Sequence, residues 1–213
     1  MEKVIVNKEN IAQKNILVVL AHMDDEIYTL GMIRKLKETN ANIYLLTVCG
    51  NGFKLDDDRL ERENIYNSVH REFFTKATRL EYYDTTLGSI GFKEESAIKE
   101  NIDFLINKYN ICTVITHYHN DIHQDHKKVS ELVQIVCRPH VSRVKKLLGC
   151  FIPGNHQELD KFNIVVDVTY DIDIITKFAK DYKRLRFMPG RYNTFHFSDS
   201  RATELYHLYY EKL

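Results

Sequence analysis

Asn15-Ile16-Leu17-Val18-Val19-Leu20 runs directly into Ala21-His22-Met23-Asp24-Asp25-Glu26. Branched aliphatics fill both alternating faces of the first six residues, which predicts a strand buried on both sides. From Ile27 to Leu36 the apolar residues recur at near-helical spacing, so a helix follows. A histidine and adjacent carboxylates therefore stand where a parallel strand hands over to a helix. In open α/β sheets that carboxyl-end crevice is where ligands bind. Taken alone, the three acids would only occupy a first helical turn, where the helix dipole favours negative charge.

The rest of the chain repeats the strand-then-helix pattern. Ala41 to Val48 reads as a second strand, ending at the turn Cys49-Gly50-Asn51-Gly52. Asp56 to about Lys76 reads as a long helix, opened by Asp56-Asp57-Asp58 as an N-terminal charge cluster. Arg79 to Tyr83 is a third strand, Glu94 to Tyr109 a helix and Cys112 to Thr116 a fourth, buried strand. His123 to Cys137 reads as a helix, Leu147 to Ile152 and Asn163 to Val168 as strands, and Asp171 to Tyr182 as a helix. Arg184 to His196 is an irregular basic loop. Ser198 to Leu213 is expected to be a terminal helix, with Leu205, Leu208 and Tyr209 on its packed side. Tyr206 and Tyr210 are then left near the surface, available to a subunit contact in a homo-oligomer. This alternation predicts an α/β fold: a Rossmann-like three-layer sandwich with a mostly parallel sheet flanked by helices, forming a single domain over residues 1–213.

Composition narrows the function. Lys plus Arg and Asp plus Glu both number 30, so no net charge draws the chain to nucleic acid or to an acidic membrane surface. No stretch approaches the length of a membrane span, and the charged N-terminal residues do not form a signal peptide. The four cysteines are widely spaced and form no Cys-x-x-Cys pair. The expectation is a reduced, soluble, cytoplasmic protein.

A second polar cluster follows the fourth strand: Thr116-His117-Tyr118-His119-Asn120-Asp121-Ile122-His123-Gln124-Asp125-His126. It again lies at a strand's carboxyl end, so both clusters should face one crevice. His123 and His126, three apart, share a face of the first helical turn. Asp121 is placed as the N-cap, with Gln124 completing a capping box. His117 and His119 read either as hydrogen-bonding partners behind the site or as surface loop residues, and the surface reading is favoured. Four histidines and two aspartates facing His22-x-Asp-Asp have the composition of a metal site.

These paired motifs, Ala-His-x-Asp-Asp-Glu after the first strand and His-x-Asp-His after a later one, resemble the PIG-L/LmbE-like family of zinc-dependent deacetylases. The family usually has proline where this chain has Met23, and often at Gln124; neither position supplies chemistry. The resemblance implies one Zn2+ per chain, held by His22, Asp25 and His126, with Asp24 as general base towards the zinc-bound water. It further implies that His123, held charged and oriented by Asp125, stabilises the oxyanion formed from the amide. Arg59 and Asp84 match positions that contact sugar hydroxyls or phosphate, and Arg62 is a rival to Arg59. The implied partner is a small-molecule N-acetylated amino-sugar conjugate, and the basic loop with Arg184, Arg186 and Arg191 suits an anionic aglycone.

Three other readings stand beside this one. The same motifs would serve hydrolysis of a different N-acyl amide. A two-metal phosphoesterase would need carboxylate ligands at more strand ends than the two clusters supply. A non-catalytic dinucleotide-binding module would need a glycine-rich loop after the first strand, where the first glycine is Gly31.

Overall fold

The computed structural model describes residues 4–5, 14–49, 56–82, 92–152, 164–183, 196–198 and 201–211. Five parallel strands form the body of the sheet: β2 (Asn15–Leu20), β3 (Asn42–Cys49), β4 (Lys76–Tyr82), β5 (Thr113–His117) and β6 (Lys146–Cys150). With β1 (Val4–Ile5), β7 (Ile164–Asp167) and β9 (Arg201–Glu211) the order is β1-β7-β9-β6-β5-β2-β3-β4, and β8 (His196–Ser198) pairs with β9. The helices are α1 (Leu30–Lys37), α2 (Asp56–Phe73), α3 (Phe92–Lys108), α4 (Gln124–Val136) and α5 (Ile172–Lys183). Among the described residues no helix is long and apolar enough to cross a membrane.

The doubly apolar pattern of β2 has the expected cause. Ile16, Val18 and Leu20 belong to one core with residues of α1, α2 and α5, including Ile33, Val69 and Phe178. Leu17 and Val19 belong to the opposite core with residues of α3 and α4, including Ile102 and Leu132. Side chains alternate across a strand, so a strand covered on both sides has no polar position to spare. The result is the α/β three-layer arrangement, with β2 at its centre.

The C-terminal segment corrects the expectation of a terminal helix. Residues 201–211 form β9, inserted antiparallel between β6 and β7. The spacing of Leu205, Leu208 and Tyr209 imitates a helical stripe because a strand covered on both faces carries apolar residues without strict alternation. Local chemistry favours the strand, since Thr203 and three tyrosines fit a pleated surface. A register shift opposite Leu147 and Leu148 leaves Tyr209 between the paired positions of β9. Its hydroxyl accepts the backbone N–H of His119 at 2.7 Å. A Cβ at Gly149 would come within 2.9 Å of the Tyr209 ring, so the bare backbone makes room for that side chain. Tyr206, expected near the surface, is fully buried.

Glu204 explains why this strand lies where it does. Its carboxylate accepts the backbone N–H of Gly31 at 2.7 Å and of Met32 at 2.9 Å, satisfying donors in the first turn of α1 that have no partner within the helix. Tyr206 donates its hydroxyl to the same carboxylate at 2.8 Å. A Cβ at Gly31 would overlap the Val168 side chain and approach Glu204, so the cap requires glycine there. Burial pushes the Glu204 carboxyl up to about 7, against the opposing effect of these three donors. A folded-state pKa raised above the ordinary 4.5 gives stability that is complete below about pH 4.5 and is lost as pH rises through about 7. Glu204→Gln, which leaves one amide facing another, is expected to cost about 2 kcal/mol. That cost should shrink from pH 5 to pH 8 in urea unfolding of the two proteins, because only the wild type carries the titrating group.

Candidate active site

The site is built at the carboxyl ends of β2 and β5. After Leu20 the chain turns sharply: Asp24 has φ 117°, a left-handed conformation that is uncommon outside glycine. A short 3-10 turn, Asp25–Thr29, then leads into α1 in place of a direct entry into an α-helix. Several contacts hold the strained turn. Arg62, buried on α2, donates Nε and Nη2 to the Met23 carbonyl at 2.9 and 2.6 Å, and Nη2 to Asp24 Oδ1 at 2.8 Å. The Glu26 carboxylate accepts the Asp24 N–H at 2.8 Å and the Tyr182 hydroxyl at 2.6 Å. Burial pushes the Glu26 carboxyl up to about 7.

Three side chains from the two motifs converge. His126 Nε2 lies 3.3 Å from His22 Nδ1 and 3.4 Å from Asp25 Oδ1, and His22 Nδ1 lies 3.4 Å from Asp25 Oδ2. Ligands bonded to zinc at about 2.0–2.1 Å in a tetrahedron stand about 3.4 Å apart, which the two nitrogens match, while the Asp25 carboxylate spans them with a different oxygen towards each. The outer nitrogens are also set. His126 Nδ1 is 2.7 Å from Asp121 Oδ2, and His22 Nε2 is 3.0 Å from Asp125 Oδ2. A carboxylate on the far nitrogen fixes the tautomer that presents a lone pair to a metal. Burial opposes the charged form of Asp25, but the neighbouring His126 and His117 outweigh it and hold the carboxyl well below its usual range. At His126 burial is likewise overcome, by the Asp25 charge and the Asp121 bond, and its pKa rises to about 9.

Several assignments change. Asp121 is not the N-cap: His123 is, its ring nitrogen accepting the Asp125 N–H at 3.3 Å. Asp121 is fully buried and orients His126, a role the capping-box pattern obscured. Asp125 was expected to hold His123, but its Oδ2 bonds His22 and stays 3.9 Å from His123 Nδ1. Burial, followed by the His126 and His22 charges, lowers the His123 pKa, against the expectation that Asp125 holds the ring charged. His117 is no surface residue. It ends β5 fully buried, its Nε2 accepts the Ala21 N–H at 2.9 Å, and its ring stacks on His126 at 4.0 Å. Extending the apolar strand by one residue would have found it. His119 is exposed, as expected.

On α2 it is Arg62 that reaches the motif loop, through Asp24 and Met23. Arg59 lies in the first turns of α2, and its side chain falls outside the described residues, as do Asp84 and the loop at 184–195.

Comparisons with known proteins show which structures share this fold. The structure is similar to an N,N'-diacetylchitobiose deacetylase from Pyrococcus horikoshii, with a TM-score of 0.70, 14% identity and coverage of 92% of this chain and 83% of that one. It is similar to an A40926 pseudoaglycone deacetylase, with a TM-score of 0.71, 15% identity and coverage of 94% and 99%. The fold is shared as well with a 4-carboxy-2-hydroxymuconate hydratase from Pseudomonas putida, with a TM-score of 0.67, 13% identity and coverage of 94% and 98%. A search of curated proteins gave no match. The family model described as PIG-L, GlcNAc-PI de-N-acetylase, matches residues 17–137, which is more than half of the chain and includes both converging motifs. The chain belongs to the PIG-L family.

Proposed function

We propose that the protein is a zinc-dependent hydrolase, a single deacetylase domain that removes the N-acetyl group from a small N-acetylglucosamine-type conjugate in the cytoplasm. The observation that carries this reading is the meeting of His22 and His126, whose nitrogens stand 3.3 Å apart, with the Asp25 carboxylate, which sets one oxygen 3.4 Å from each. One zinc bound there would polarise the amide carbonyl and lower the pKa of water to about 7. Asp24, placed by Arg62, takes the proton from the attacking water and passes it to the departing amine. His123 keeps Nδ1 as an acceptor towards the Asp125 N–H, so its proton sits on Nε2. A neutral imidazole in that tautomer donates to the developing oxyanion. Asp121 and Asp125 hold His126 and His22 in the metal-binding tautomer. Arg59 and Asp84 are proposed as substrate contacts. Hydrolysis of another N-acyl amide uses the same residues and differs only in the pocket walls.

The test is acetate release from a panel of N-acetylglucosamine conjugates, with metal content measured on the same samples. One equivalent of zinc and release abolished by a chelator, then restored by zinc, are expected. Zinc without acetate release would redirect the search to other amides, and a protein that binds no metal would end the reading. Because the His126 proton competes with the ion, metal affinity should rise with pH up to about 9. Calorimetry in buffers of different ionisation enthalpy should register the released proton.

A further inference from the structure

His22 presents its two ring nitrogens to different partners. Nδ1 faces Asp25 and His126, whereas Nε2 faces Asp125 Oδ2 at 3.0 Å. Beside this ring lies Cys49, the last residue of β3. Its N–H donates to the Ala21 carbonyl at 2.7 Å, carrying the β2–β3 pairing past the end of β2 and bringing the cysteine next to His22. The Cys49 side chain is buried. Ligand atoms of Cys49, His22 and Asp125 all lie within 4.8 Å of one another.

We propose that Cys49, Asp125 and Nε2 of His22 form a second metal site, selective for a thiophilic divalent ion such as zinc or cadmium. Sulfur, nitrogen and oxygen together form a softer donor set than the two imidazoles and carboxylate on the other side of the ring. A sulfur and a nitrogen bonded to one tetrahedral zinc stand about 3.6 Å apart, so the thiol moves in by about 1.2 Å at most, while Asp125 Oδ2, 3.0 Å from His22 Nε2, draws back slightly. Binding expels two protons to solvent, one from the Cys49 thiol and one from His22 Nε2, and no electron is transferred. With both ions bound, His22 is a bridging imidazolate. The second ion takes Asp125 away from its hydrogen bond with His22 and settles beside His123, whose ring centroid is 4.9 Å from that of His22. Excess metal therefore inhibits. The inference rests on the proposed first centre only in assigning Nδ1 to it.

Cobalt titration of the metal-free protein separates the two sites. A first equivalent without thiolate-to-cobalt charge-transfer absorption, then a second that brings it, is the expected result. Cys49→Ser should bind half as much cobalt and show no such absorption, while His126→Ala should lose the first equivalent and keep the absorption. Wild-type saturation at one equivalent with no thiolate band would overturn the proposal. So would a thiolate band at the first equivalent, or one that persists in Cys49→Ser or vanishes in His126→Ala. Failure of the first equivalent itself strikes at the proposed function, whereas failure of the second alone strikes here.

Discussion

Asp24→Asn is expected to lower acetate release by a factor of about 10² to 10⁴, the range for losing a general base, with bound metal unchanged. Asparagine is the informative replacement. It tolerates the left-handed backbone at φ 117° better than alanine would, and its amide oxygen can still accept from Arg62. What it cannot do is take a proton from water. Steady-state rates with metal analysis of the same preparation check this, and a fall of less than tenfold at full metal occupancy would remove Asp24 from the proton-transfer role.

Arg62→Met is expected to have the largest effect on stability, a loss of about 3–5 kcal/mol. The guanidinium is buried and, among the described residues, donates twice to the Met23 carbonyl and once to Asp24. Methionine fills similar space but leaves a buried carboxylate and a buried carbonyl without those donors, and both flank the strained residue. Urea unfolding gives the loss. Asp24→Asn placed on the Arg62→Met background should recover more than about 1 kcal/mol of it, since residues in direct contact are non-additive. Strict additivity would show that the arginine acts only through packing.

The five central strands and their helices were legible in the sequence because a doubly covered strand, an amphipathic helix and a tight turn each leave a local pattern. The meeting of His22, Asp25 and His126 was legible for a different reason: the two motifs that carry the family resemblance contain them, and the order of strands and helices set both motifs at one crevice. Relations that bridge distant parts of the chain left no such trace. Nothing near Arg62 says that it will lie against Asp24, 38 residues away. Nor does the neighbourhood of Asp121 distinguish a helix cap from a partner for His126, since one oxygen accepts the His123 N–H while the other meets His126. The terminal strand failed on pattern alone. Its burial comes from strands and helices that a window of eleven residues does not contain.

The contact between Glu204 and the start of α1 has a consequence in time. Gly31 and Glu204 are 173 residues apart, and the carboxylate reaches amides that immediately follow the motif loop. During synthesis the first motif emerges early, yet the helix that anchors it lacks this cap until the last strand has been made and inserted between β6 and β7. Long-range pairing of this kind is slow to form. Metal loading is therefore expected to follow insertion of β9, and a nascent chain stalled before residue 204 should bind metal more weakly than one extended past β9.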